Sequence, residues 1–309
     1  MTFRQVVLLA VAVVAVSFSA IFIRLAHAPS LTIALYRNAF AAAVMLPLAI
    51  VRRPDEFRAL TRRQLTIAMG SGAVLAVHFA TWISSLSYTT IAASVVLVTA
   101  SPILVAAAER LLFGEKTARR AMAGILVGLA GVAVISGGDL FVLSRRAAGG
   151  DLLALAGAAA GGAYFVAGRT LRREMSLLAY TGVVYATCAA LLIPAALMAG
   201  ARLGGFPAKT WVLLVLMAVI PQTLGHTVFN YLLKEVSATV VAIAVMGEPV
   251  GATLLGLAFF GETPPWTAVA GGALVLAGIY VALTAHGRPP SVTRPSIVSP
   301  IVGPHPPAA

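Results

Sequence analysis

The sequence predicts an all-α integral membrane protein: ten transmembrane helices arranged as two inverted five-helix repeats. Of its 309 residues 60% are hydrophobic and 10% charged, against roughly a quarter charged in soluble domains. Between Arg63 and Glu109 the chain runs 45 residues without a Lys, Arg, Asp or Glu, room for two bilayer crossings at about 20 residues each. Residues 101 to 135 also align without gaps, at a shift of 147, with residues 248 to 282.

Hydrophobic runs, cut by Gly, Pro and charge, place the spans at 5–25, 31–51, 65–86, 91–112 and 119–137, then 151–168, 176–199, 210–231, 236–259 and 266–284. The first run, with Arg4 before it, has some features of a signal peptide. It is read as a span because the repeat needs a helix there. The net charge of +12 is a topology signal rather than a nucleic-acid footprint. With a cytoplasmic N-terminus, the segments 52–63, 109–120 and 169–174, together with Arg4, Lys234, Arg288 and Arg294, put 16 of the 22 Lys and Arg inside. The positive-inside rule then favours a multi-pass protein of the cell (inner) membrane with both termini cytoplasmic. Cys188 stands alone, so no disulfide or Cys-based metal site is expected within one chain. The tail 286–309 is too rich in Pro to build a core and is expected to be disordered.

In the repeat, Pro102 matches Pro249, Phe113-Gly114-Glu115 matches Phe260-Gly261-Glu262, and Leu129-Ala130-Gly131 matches Leu276-Ala277-Gly278; Pro47 and Pro194 fall at the same shift. Each copy holds five spans, an odd number, so the second enters the membrane from the opposite side. The expected organisation is a first repeat over 1–138, an extracytoplasmic linker over 139–150, a second repeat over 151–285 and the tail. Inverted repeats are a common construction of secondary transporters, with a site near the midplane between the halves.

With two five-span repeats, an Arg in the second span ("LYRNAF"), a Gly-Glu closing the fourth and ninth spans and a Glu-Pro in the ninth, the chain resembles the EamA family of the drug/metabolite transporter superfamily. The resemblance covers roughly residues 5 to 284 and implies transport, usually export, of small metabolites such as amino acids, amines or drugs without ATP. No P-loop contradicts that, no H-E-x-x-H motif or buried aspartate pair suggests an intramembrane enzyme, and neither cofactor, metal nor nucleic acid is expected. Expected partners are the lipid bilayer, a small-molecule substrate and, as candidate coupling ions, protons. A facilitative, channel-like permease is the alternative.

Within the spans a few polar residues stand out. Glu248 has roughly a dozen apolar residues on either side, which puts it near the midplane, where an ionised carboxylate needs a partner. It reads as a proton carrier, an anchor for a substrate amine, or a partner of Arg37 or His226. Pro249 beside it removes a backbone donor and bends the helix, as Pro102 does in the first copy, but there Ser101 replaces the acid. Arg37, about seven residues into the second span, either snorkels, forms an ion pair, or offers a fixed positive charge to a substrate anion. His78, Trp82 and Ser85 in the third span and Gln222, His226, Phe229 and Asn230 in the eighth recur at helical spacing and are expected to face each other across a cavity. Gly114-Glu115 and Gly261-Glu262 read as helix ends. The glycine faces of the fifth, sixth and tenth spans read as close helix packing or, alternatively, a homodimer contact. Asp139 and Asp151 are placed in the loop between the halves.

Overall fold

The structure, a computed structural model, describes residues 1–89, 91–135 and 144–285. The expected tail and residues 139–143 of the expected linker, Asp139 among them, lie outside the described residues. All regular structure among those residues is helical: α1 Phe3–Ala26, α2 Ser30–Arg52, α3 Pro54–Arg58, α4 Arg62–Ser85, α5 Ile91–Val98, α6 Ser101–Phe113 and α7 Arg119–Ile135 in the first half. The second half holds α8 Arg145–Leu171, α9 Leu177–Met198, α10 Ala208–Met217, a π-helical turn Ala218–His226, α11 Thr227–Leu232, α12 Ala238–Val245, α13 Glu248–Phe260 and α14 Trp266–Ala285.

Nine of these helices or helix pairs, among the described residues, are long and apolar enough to cross a membrane. The tenth span is α7, whose 17 described residues pack along α14. Span ends fall within three residues of expectation save at the start of the sixth. There α8 opens at Arg145, capped by the Ser144 hydroxyl on the Ala147 N–H. Asp151 is therefore a helical residue, not a loop one, and its carboxylate accepts from the Thr89 hydroxyl at 2.7 Å. Short polar side chains open four other helices in the same way: Thr2 and Thr61 form capping boxes with Gln5 and Gln64, and Ser176 and Ser237 cap α9 and α12.

The two halves interlock through three close helix pairs: α7 with α14, α4 with α8, and α2 with α9. Glycine makes the first possible. A Cβ on Gly124 would lie 2.6 Å from the Gly278 carbonyl, and one on Gly271 2.5 Å from the Gly131 carbonyl. Gly271 is the repeat mate of Gly124 and Gly278 that of Gly131, so the crossing is symmetric under the repeat. The glycine faces of the fifth and tenth spans thus meet each other within one chain.

Phe-Gly-Glu, the most regular repeated motif, ends a helix and fastens it. Gly114 and Gly261 adopt left-handed φ values of 71° and 66° and close α6 and α13. The glutamate that follows does more than sit near the next helix. Glu115 pairs with Arg169 of α8, whose guanidinium lies 5.2 Å from the Phe113 ring. Glu262 pairs with Arg24 of α1, whose guanidinium lies 4.5 Å from the Phe260 ring. Each copy clasps the first helix of the other copy with the same three residues.

The fourth and ninth spans are each broken in two. Pro102 and Pro249 sit in the first turn of the second half-helix, α6 and α13, rather than inside a bent continuous helix. A helix's first turn has N–H groups without intrahelical partners, so a residue lacking one is tolerated there. Pro47 and Pro194 do lie inside α2 and α9.

Candidate functional site

The break before Pro249 places Glu248 as the first residue of α13, with Ser101 as the first residue of α6 in the other half. Both line a central cavity that encloses about 620 Å³, counted out to its open mouth. Three pairs of repeat mates, each 147 residues apart, surround it: Trp82 with Phe229, Val98 with Val245, and Ser101 with Glu248. The cavity thus lies on the axis that relates the halves. Ser19 of α1, Tyr164 of α8, Arg37, His78, Thr99 and His226 complete the polar part of its wall.

Arg37 does not snorkel. It is 1% exposed, its Nε donates to Gln222 Oε1 at 3.0 Å, and its guanidinium stacks 4.1 Å from the Phe79 ring. Glu248 also lines the cavity, yet among the described residues it forms no ion pair with Arg37 within 4.0 Å. The site therefore holds one cation and one acid, both facing the same space and not neutralising each other by contact. Ser17 of α1 fixes the Glu248 backbone by donating to its carbonyl at 3.2 Å.

The third-span stripe is partly as the spacing predicts. His78 and Trp82 stack at 5.9 Å on the cavity wall, and His78 Nδ1 donates to the Gly157 carbonyl at 2.8 Å. That contact is close because Gly157 and Gly161 of α8 leave room for it. Ser85 instead turns away and pairs with Ser94 at 2.6 Å. On the eighth span His226 and Phe229 reach the cavity, whereas Gln222 and Asn230 stand behind it, both fully buried. Gln222 holds Arg37, and Asn230 donates to the Tyr164 hydroxyl and to the His226 carbonyl. These two residues position the wall.

The π-helical turn Ala218–His226 explains that split. Pro221 inside it supplies no backbone donor, and the looser turn shifts Gln222 and His226 off a regular 3.6-residue register. Pro221 was the available signal, a proline within an apolar run, and its mate in the third span is Val74. Tyr164 carried no signal of its own, being one aromatic residue in a small-residue helix.

Several buried polar atoms around the cavity have no partner among the described residues: Arg37 Nη2, Gln222 Nε2, Trp82 Nε1 and His226 Nδ1. Three of these are N–H donors, and buried donors are seldom left unpaired without a purpose. The arrangement can receive an acceptor-rich group beside Arg37, flat or apolar parts against Trp82, His78 and Phe229, and a positive group or a proton at Glu248.

Comparison with known proteins agrees with this architecture. The sequence profile of the EamA-like transporter family matches residues 4–137 and again 148–284. An uncharacterized transporter from Archaeoglobus fulgidus is 27% identical over 85% of this chain and 90% of its own length. A second uncharacterized transporter from the same organism is 26% identical over 64% and 68%. A crystal structure titled only as that of a protein superposes with a TM-score of 0.76 at 21% identity, covering 92% of this chain and 98% of the other. At that identity it speaks for the fold alone.

Proposed function

Because the chain belongs to the EamA-like transporter family, we propose that it is a secondary active exporter of small metabolites, amino acids, amines or drugs, working by alternating access with Glu248 as the site of proton coupling. The observation that carries this reading is the cavity on the repeat axis, lined by three pairs of mates. If the halves exchange conformations, such a cavity keeps its wall while the ends that close it alternate. Only one half contributes an acid there. Coupling needs a group that changes charge within reach of the substrate, and the Ser101/Glu248 mismatch supplies one group of that kind. Arg37, with the unpartnered donors beside it, would hold an anionic part of the solute. The basic face, formed by residues 52–63, 109–120 and 169–174, is assigned to the cytoplasm of the cell membrane, with both termini on it. Residues 1–138 and 151–285 are assigned as the two repeats and 139–150 as the connection between them, with residues 145–150 of that connection already part of α8.

A thermal-shift screen of amino acids, amines and cationic drugs on purified protein would find a ligand, and proteoliposomes would then measure its transport. Glu248→Gln is expected to lose accumulation driven by a pH gradient while retaining counterflow exchange. Accumulation equal to wild type would remove the proton role, and flux that does not saturate would remove the carrier in favour of a channel-like permease.

A further inference from the structure

One buried acid takes no part in the cavity. Glu109 of α6 is 3% exposed and lies at the basic end of the fold. Its carboxylate accepts the Ala238 N–H at 2.8 Å, the Thr239 N–H at 3.2 Å and the Thr239 hydroxyl at 2.5 Å. It also receives Arg169 Nη1, which donates to Glu115 as well at 2.8 Å, while Nη2 donates to Glu115 at 2.6 Å. Ala238 and Thr239 open α12, the half-helix that leads into Glu248. With the Ser237 hydroxyl on the Val240 N–H, the first three donors of α12 are all satisfied, two of them by a side chain from the other repeat. A negative charge at a helix N-terminus is doubly suited to that place, by hydrogen bonds and by the helix dipole.

At the opposite end the acid itself is missing: the repeat mate of Glu109 is Gly256, which has no side chain. Helix packing follows the same asymmetry. At the basic end α12 packs on α6 and on α8, whereas their mates, α5 with α13 and α5 with α1, make at most marginal contact among the described residues. The Phe-Gly-Glu clasps are shared by both ends; the Glu109 lock is not.

We propose that Glu109, Arg169 and the N-terminus of α12 form the gate that seals the cavity from the basic face, closed in this structure. The inference rests on the alternating-access reading above. To open that face α12 must part from α6 and α8, which strips the Glu109 carboxylate and the α12 donors of their partners together. Opening exchanges those charge-assisted hydrogen bonds for water, and the lock favours the state closed at the basic end by what the bonds gain over that exchange. The short turn Met246–Gly247 between α12 and α13 is the natural pivot.

The test reads access, not transport, so it fails or succeeds independently of substrate and coupling. Ala242, one helical turn beyond Ala238 and fully buried, is replaced by Cys in a Cys188→Ala background. Labelling by a membrane-impermeant maleimide is timed in vesicles of both orientations, with Lys116→Cys identifying the basic face. Adding Glu109→Gln is expected to raise the rate from that face on the order of tenfold, the size expected for losing a hydrogen bond to a charged group, and to leave the other face unchanged. If Glu109→Gln does not fold, Thr239→Val, which removes one of the carboxylate's donors, is expected to raise it several-fold. Unchanged labelling in a folded variant, or an equal rise from both faces, overturns the gate.

Discussion

Gly131 sits where the two repeats touch most closely, and replacing it with alanine should weaken the whole molecule. The new Cβ would lie 2.6 Å from the Gly271 carbonyl and the Val275 nitrogen, and 2.8 Å from Leu274 Cβ. Ordinary contact there begins at 3.4 Å, so the helices must separate by about 0.8 Å, enough to forfeit a quarter to a half of each neighbouring dispersion contact. Overpacking of this kind costs about 1–3 kcal/mol, which lowers the melting temperature by roughly 3 to 10 °C. Cys188, fully buried in α9 and the single cysteine of the chain, is a built-in reporter: a thiol-reactive dye added to the detergent-solubilised protein fluoresces when that helix opens. The control is Gly149→Ala. No atom lies within 4 Å of a Cβ there, and alanine is the better helix former by about 1 kcal/mol, so that variant should melt at or above the wild-type temperature. A Gly131→Ala protein melting with wild type, or two variants equally lowered, would refute the backbone-to-backbone crossing.

Gln222→Leu leaves the Arg37 Nε without its acceptor and should cost about 1.5–3 kcal/mol, read as a lower melting temperature in the same dye assay; an unchanged melt would mean that Gln222 does not hold the guanidinium. At the basic face the Arg4 guanidinium beside Glu235, 2.5 Å away, holds that carboxyl below its ordinary value of 4.5. A depressed value stabilises the fold above the unfolded-state value and loses that contribution as pH falls through the folded one. Wild type should therefore lose its advantage over Glu235→Gln as pH drops below about 4.5, and parallel melting curves across that window would count against the pairing.

The fold was legible because its signals are local or repeated. Apolar runs, the shift of 147 and the Phe-Gly-Glu motif all survive in one dimension. The site was legible where a polar residue stands alone in an apolar span, as with Glu248, Arg37, His78 and His226. It was not legible where the meaning of a residue depends on a distant partner. Glu109 closes an apolar run and reads as the edge of a cytoplasmic segment, yet its partners are 60 and about 130 residues further on. Gln222 carries the right spacing for the cavity but stands behind its wall, where the π-helical turn changes the register that the spacing assumed, and Asn230 is drawn behind it by Tyr164 of α8.

Comparing the halves position by position separates scaffold from mechanism. What both copies share builds the frame: the prolines that open α6 and α13, the crossing of α7 and α14, and the arginine clasps on Phe-Gly-Glu. A frame alone, being symmetric, would give the two end-closed states equal energy and no reason to prefer either. The unmatched residues remove that degeneracy. Glu248 faces Ser101, Arg37 is paired in sequence with Val184, Pro221 with Val74, and Glu109 with Gly256. Three of the four are charged and buried or half-buried, and a charge in an apolar bundle has a large energy that depends on its surroundings. Such residues respond most to which end is open and to what occupies the cavity. On the alternating-access proposal, the asymmetry between the copies is therefore where unequal populations of the two end-closed states would have their physical origin, and it can be tested residue by residue without knowing the substrate.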